Sequence, residues 1–147
     1  MTRALPGEDM ARRINDAHPG AALRFNQTDV WLELDSLYDV MRFLKETSDL
    51  DFSFLTAITG VDYVEYFELI YHLLSMRRNH SIVLKTRCFG RDEPTAPSLV
   101  SLWQGANLQE REIWDLLGIH FEGHPNMKRI LLWEGFPGHP LRKDFLG

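Results

Sequence analysis

Residues 52–89 read FSFLTAITGVDYVEYFELIYHLLSMRRNHSIVLKTRCF, and their pattern decides the fold. From Phe52 to Met76 the run is rich in aromatic and β-branched residues, which suit a pleated surface. A break near Val64 to Tyr66 divides it into two predicted strands. Arg77-Arg78-Asn79 then turns the chain into Ser81 through Phe89, where Ile82, Leu84, Thr86 and Cys88 alternate with Val83, Lys85, Arg87 and Phe89. That alternation predicts a third strand with one face against a core. Cys88 belongs to the inward set and reads as a small buried hydrophobe, with no chemistry assigned to it.

Upstream, Glu8 to Ala17 predicts a first helix, with acids in its opening turn, Met10, Ile14 and Ala17 on one side, and Pro19-Gly20 as its stop. In Ala21 to Asn26, Leu23 and Phe25 alternate with Arg24 and Asn26; after the turn Gln27-Thr28-Asp29, Val30, Leu32 and Leu34 share a face. These two segments read as a hairpin. Ser36 is placed to cap a second helix, in which Leu37, Val40, Met41 and Leu44 fall at i, i+3, i+4 and i+7. The order is helix, strand, strand, helix, strand, strand, strand. It predicts a two-layer α+β fold, two helices on one face of a mixed five-stranded sheet.

The chain has 147 residues, 44% of them hydrophobic, enough for a core without disulfide staples. Its formal net charge of −5 excludes the basic footprint that nucleic-acid binding requires, so no nucleic-acid partner is expected. One cysteine rules out an internal disulfide and an iron-sulfur cluster held by this chain alone. The N-terminal MTRALPGEDMARRIND lacks the apolar centre of a signal peptide, and the most apolar run, Leu69 to Met76, is too short to span a bilayer. A cytosol-facing chain with at most peripheral membrane association is expected.

Downstream, Gly90 to Ser98 reads as a connection out of the sheet, and Leu99 to Trp103 as one or two helical turns. Residues 1–106 are assigned to the α+β domain. Residues 107–147 are assigned to a charged helix plus an extended partner-binding tail. Asn107 with Glu110 approximates a capping box for a helix from Leu108 to about Gly118. Helical phasing puts Ile113, Trp114, Leu116 and Leu117 on one apolar arc, with Arg111, Glu112 and Asp115 opposite. Glu110 falls inside the apolar arc, where a carboxylate needs either the helix's own first amides or a cation such as Arg129, Arg142 or Lys143. The thirty residues from Gly118 hold 5 of the chain's 10 Gly and 3 of its 7 Pro, leaving room only for a short strand at Arg129 to Trp133. Such a tail calls for an outside surface to complete its burial. His120, Glu122, His124 and His139 are zinc-ligand types, but Gly123 and Pro125 prevent the helical i, i+4 spacing that makes ligands converge, so no metal is expected. No phosphate loop, dinucleotide fingerprint or nucleophile elbow occurs.

The run EREIWDLLGIHFEGHPNMKRIL at 110–131 resembles the signature of the 30 kDa subunit, also called the C subunit, of respiratory complex I, the NADH:quinone oxidoreductase family. The resemblance extends to YHLLS, PSLVSLWQGAN and GHPLRKDF, with fixed polar positions at Glu110, Arg111, Glu112, Asp115, His124 and Lys128. Leu108 departs from the aromatic usual there. The resemblance implies a two-layer α+β domain with an extended C-terminal segment, and a component of a proton-translocating enzyme with no catalytic residues of its own. It implies no cofactor on this chain, with FMN, iron-sulfur clusters and quinone carried elsewhere in the complex. The D subunit, which helps to form the quinone site, is the expected chief partner, as a separate chain, with the B and I subunits beside it. Residues expected in those contacts or in holding the tail are Glu110, Arg111, Glu112, Asp115, His124, Lys128, Arg129, Arg142, Lys143 and Asp144. The place implied is the cytoplasmic side of a bacterial inner membrane or the equivalent organellar face, reached through the complex. The equivalent subunit of a related membrane-bound hydrogenase, or of a complex fed by another donor, is the alternative.

Overall fold

In the computed structural model, residues 2–133 and 136–145 are described. Residues 134–135 and 146–147 of the expected tail lie outside them. The elements are β1 (Arg3–Ala4), α1 (Gly7–Ala17), β2 (Ala22–Phe25), β3 (Asp29–Leu32), α2 (Leu37–Glu46), β4 (Phe54–Asp62), β5 (Phe67–Ser75), β6 (His80–Cys88), β7 (Thr95–Pro97), α3 (Ala106–Leu117) and β8 (His120–Glu122). The sheet runs β2-β3-β6-β5-β4, with β1 beside β6 as a sixth strand. β1 and β3 pair with β6 in parallel and the other pairs are antiparallel, so the sheet is mixed as expected. The addition is β1, two residues too short to carry any sequence period.

Alternation builds the core. Phe67, Leu69, Tyr71 and Leu73 of β5 and Ile82, Leu84 and Cys88 of β6 are buried, and they join Met10 and Ile14 of α1 and Leu37, Val40, Met41 and Leu44 of α2 in one cluster. Ile113 and Leu117 of α3 enter the same cluster.

Several local expectations are corrected. Ser36 makes no side-chain cap, because a 3-10 turn at Leu34–Ser36 leads directly into α2 and leaves Ser36 in helical conformation. That turn also takes Leu34 out of its strand. Leu99 to Trp103 keeps to the shorter of its expected lengths, one hydrogen-bonded turn, with Leu102 and Trp103 N–H both donating to the Leu99 carbonyl. α3 starts at Ala106 after Gly105, with no side-chain cap, so Asn107 is not its capping residue. The connection out of the sheet contains β7, which pairs in parallel with β8. No strand forms at 129–133, because consecutive amides there turn toward one carboxylate rather than to alternate sides.

α3 lies along β4, an edge strand whose Ile58 N–H donates to the Gln109 side-chain oxygen at 2.7 Å. The approach depends on Gly60: a Cβ there would stand 2.6 Å from the Leu117 Cδ1 and 3.3 Å from the Ile113 Cγ2. Gly60→Val is expected to push α3 away from the sheet and to destabilise the chain by about 1–3 kcal/mol, as overpacking does. Urea unfolding of the variant measures this, and an unchanged midpoint counts against close approach as the role of Gly60.

Candidate functional site

α3 is buried on more than its sheet-facing side. Glu112 is exposed, but Asp115, assigned by phasing to the same outer side, has 0% exposure. The expected exposure of Asp115 fails because the tail crosses that side of the helix. The Asp115 Oδ2 accepts the N–H groups of Ile130, Leu131 and Leu132 at 3.2, 2.7 and 2.8 Å. Arg129 places its guanidinium 3.3 Å from Oδ1. Three successive amides around one anion form a concave cradle, and a buried carboxylate is tolerated where such donors and a cation replace its water.

Further ties run the length of the helix. Arg111 donates to the carbonyls of Lys128 and Arg129 at 3.0 and 3.2 Å. The His124 ring shares one hydrogen bond with the Asn107 carbonyl, and its Nδ1 accepts the Asn126 N–H at 2.9 Å. Arg129 also donates to the Gly138 carbonyl at 2.7 Å. At the helix end Gly118 takes φ 79°, and His139 packs where any side chain at Gly118 would stand. The His139 Nδ1 donates to the Asp115 carbonyl at 2.9 Å, while burial holds the imidazole below its ordinary pKa. Leu141 N–H and the Arg142 Nε take the free carbonyls of Leu116 and Leu117. These orphan acceptors of a helix C-terminus are thus satisfied by the tail.

A second clasp joins the tail to the sheet. Arg91 forks onto Asp62 at 2.6 and 2.8 Å and reaches Asp144 at 2.9 Å. The Lys143 N–H donates to Asp62 at 2.8 Å. The Arg91 hydrogen bonds hold the Asp62 carboxyl well below the usual range. Arg91 and Arg142 both lie over the Phe67 ring.

Glu110 takes no part in this fastening. It has 0% exposure, and its oxygens accept the Ser98 hydroxyl at 2.6 Å and the Leu99 N–H at 2.8 Å. Neither expected arrangement is used: Glu110 caps the turn at 98–103 rather than its own helix, and the guanidinium groups of Arg129 and Arg142 go to Asp115 and to the Leu117 carbonyl. Burial pushes its pKa up to about 7. Burial also pushes the Cys88 thiol up to about 12, leaving essentially no thiolate at neutral pH.

Of the named residues, Arg111, Asp115, His124, Arg129 and Arg142 are drawn together between α3 and the tail; Glu110 turns to the 98–103 turn, Lys143 and Asp144 join the clasp on Asp62 and Arg91, Lys128 contributes its carbonyl, and Glu112 stays exposed. Sequence reasoning missed Asp62, Arg91 and Ser98, whose partners lie 29, 53 and 12 positions away and leave no local signal. Among the described residues no group of three or more His, Cys, Asp or Glu could hold a metal ion. What the arrangement offers is a surface. With its polar groups turned to α3, the tail leaves Leu131, Trp133 and Leu141 58%, 64% and 60% exposed.

Residues 30–147 match the family model described as "Respiratory-chain NADH dehydrogenase, 30 Kd subunit". The C subunit of the NADH-quinone oxidoreductase of Roseiflexus sp. (strain RS-1) is 43% identical over 142 residues, covering 93% of this chain and 80% of that one. The same subunit from Roseiflexus castenholzii is 42% identical, with 96% and 84% covered. That of Moorella thermoacetica is 49% identical, with 76% and 74% covered. Among solved structures, a chain of the membrane-bound sulfane sulfur reductase, an archaeal respiratory membrane complex, superposes with TM-score 0.76 and 27% identity, covering 94% of this chain and 84% of that one.

Asp115→Ala removes a buried acceptor from three amides and the counter-charge facing Arg129, and is expected to cost about 3–5 kcal/mol. Glu112→Ala on the exposed side is expected to stay within about 0.5 kcal/mol. Unfolding curves of both variants, with limited proteolysis of residues 119–145, test the difference; equal effects would refute the cradle.

Glu110 also sets a pH dependence. Between its ordinary value of 4.5 and about 7 the folded chain keeps a proton that the unfolded chain has lost, so this group's contribution to stability falls as pH rises through that window. The slope approaches about 1.4 kcal/mol per pH unit. Glu110→Gln cannot ionise, so its stability relative to the parent is expected to climb from pH 5 to pH 8 in urea titrations. Parallel curves would mean that Glu110 does not titrate there.

Proposed function

The chain belongs to the family of the 30 kDa subunit of respiratory-chain NADH dehydrogenase, and on that premise we propose that it is a non-catalytic peripheral-arm component that packs against the D subunit. As the 30 kDa subunit of an NADH-quinone oxidoreductase it has other subunits of that complex as its partners. The finer reading is that the outer face of its tail meets the D subunit, near the B and I subunits, and braces the part of the enzyme that reduces quinone. FMN, iron-sulfur clusters and quinone then belong to the neighbouring chains. The chain would stand on the cytoplasmic side of the membrane and be held there through the complex. No helix among the described residues is long and apolar enough to cross a membrane.

The outward face of the tail supports this reading most directly. A segment tied to its own helix by an internal anion cradle leaves Ile130, Leu131, Trp133 and Leu141 facing outward. Apolar side chains held outward on an ordered backbone suit a protein interface, where aromatic residues act as anchors.

The likeness to a chain of the sulfane sulfur reductase favours one second reading, the same role in a related complex fed by a donor other than NADH. Affinity purification of the tagged chain from its native membrane separates the two. The D subunit is expected among the retained chains in both cases, and flavin-bearing NADH-oxidising subunits only in the first. Trp133→Ala is expected to weaken retention of the D subunit about tenfold or more, the scale of an interface anchor. Full retention by that variant would remove the tail's outer face from the contact.

A further inference from the structure

A cleft of about 450 Å³ opens at the C-terminal end of α3. It lies between Asp92 and Glu93 of the connection out of the sheet, Trp114 of α3, His120 of β8 and His139 of the tail. One wall is aromatic. The Trp114 ring has His139 at a centroid distance of 5.1 Å, tilted by 55°, and His120 edge-on at 6.0 Å.

Its polar groups are acceptors left without a donor. The Nδ1–H of His139 goes to the Asp115 carbonyl, and burial lowers the pKa of the ring, so at neutral pH Nε2 carries a lone pair. That nitrogen lies 3.0 Å from where a Cβ on Gly118 would stand, and Gly118 also lines the cleft. Asp92 and Glu93 are exposed, and their carboxylates form no ion pair among the described residues. The nearby guanidinium groups are engaged elsewhere. Arg142, which lines the cleft, donates to the Leu117 carbonyl and lies over the Phe67 ring, and Arg91 is held by Asp62 and Asp144. Lys143 is exposed and is not part of the lining.

An aromatic wall beside unpaired acceptors selects a flat cation rich in donors. A guanidinium has five N–H groups in one plane, stacks on an indole face and can fork onto a carboxylate. A metal ion does not fit, since no three of the His, Asp and Glu side chains described are grouped to hold one. Free arginine fits poorly. Its own carboxylate would stand beside Asp92 and Glu93, with no unengaged cation in the lining to receive it. A side chain carried on a neutral backbone avoids that repulsion.

We propose that this cleft receives an arginine side chain of a neighbouring subunit, its guanidinium against Trp114 and its N–H groups shared between His139 Nε2 and the carboxylates of Asp92 and Glu93. This rests on reading the chain as part of the complex, and it adds a contact separate from the Leu131 and Trp133 face. Matching of opposite charge at such a point fixes the register of two surfaces.

The test uses the full chain, tagged and expressed in its native host in place of the original, as parent and as the double variant Asp92→Asn/Glu93→Gln. Both positions are exposed, so the purified variant is expected to melt within about 1 °C of the parent. A clearly lower midpoint would mean that the carboxylates serve the fold itself, which overturns the proposal. The complex retained by each chain is treated with phenylglyoxal, which modifies arginine, and the products are mapped by mass spectrometry. One arginine of a neighbouring subunit is expected to be protected in the parent complex and modified about tenfold faster in the variant complex, the scale of one lost charged contact. Loss of that neighbour from the variant complex is the same result in stronger form. Equal modification of every arginine in the two complexes overturns the proposal. So does a carbodiimide cross-link from Asp92 or Glu93 to a lysine of a neighbour, because that reagent joins carboxylates to amines and not to guanidinium groups. The isolated parent chain is also titrated with L-arginine in a calorimeter. Saturable binding that the double variant abolishes would assign the cleft to the free amino acid and overturn docking as well. If the parent itself retains no complex subunits, the assignment of the chain to the complex fails first and the cleft loses its partner with it.

Discussion

The buried carboxylate of Asp115 is the constraint on which the C-terminal third depends. An anion with no exposure must find donors within the fold, and those it finds are three successive backbone amides and one guanidinium. Meeting that need fixes the path of residues 129–132, because consecutive N–H groups can converge on one oxygen only in a tight local geometry. The same geometry sends the side chains of Leu131 and Trp133 away from α3. An internal electrostatic requirement therefore sets the shape of an external apolar surface.

The two buried acids of α3 solve the same problem differently. Asp115 is ringed by donors and faces a cation, whereas Glu110 has one hydroxyl and one amide. Fewer donors leave desolvation in command, so Glu110 is pushed toward its neutral form. Position on the helix decides which solution is available. Glu110 faces the 98–103 turn, whose donors to it are neutral, while Asp115 faces the basic tail.

The sheet was largely legible in the sequence because its signal is local. Ile82, Leu84, Thr86 and Cys88 alternate along one strand, and Leu37, Val40, Met41 and Leu44 repeat along one helix, so each period declares which side is buried. The site was legible in its residues but not in its pairings. Glu110 drew notice by interrupting an apolar arc, yet its partners were misassigned. Asp115 looked exposed because a helical wheel sees only the helix, and the surface that covers it comes from 15 to 17 residues downstream in a segment with no period. Ser36 and Asn107 show the opposite error: good capping residues stand where the preceding turns already deliver the chain into the helix. Arg91, which links residues 62 and 144, leaves no trace at all in its own neighbourhood.

The position of β6 bears on the order in which the chain can fold. With β5 it forms an antiparallel hairpin across a four-residue turn, a contact that needs little chain closure. On its other edge it receives β1 and β3 in parallel, pairings such as Arg3 with His80 and Leu32 with Thr86 that join segments more than fifty residues apart. Parallel pairing of distant segments carries a large entropic barrier before it yields any contact energy. The β4–β5–β6 meander is thus suited to form early, with β6 still showing an open edge to the rest of the chain. Until the N-terminal strands arrive, that half-finished edge is the point at which a newly made chain is most open to pairing with the wrong neighbour.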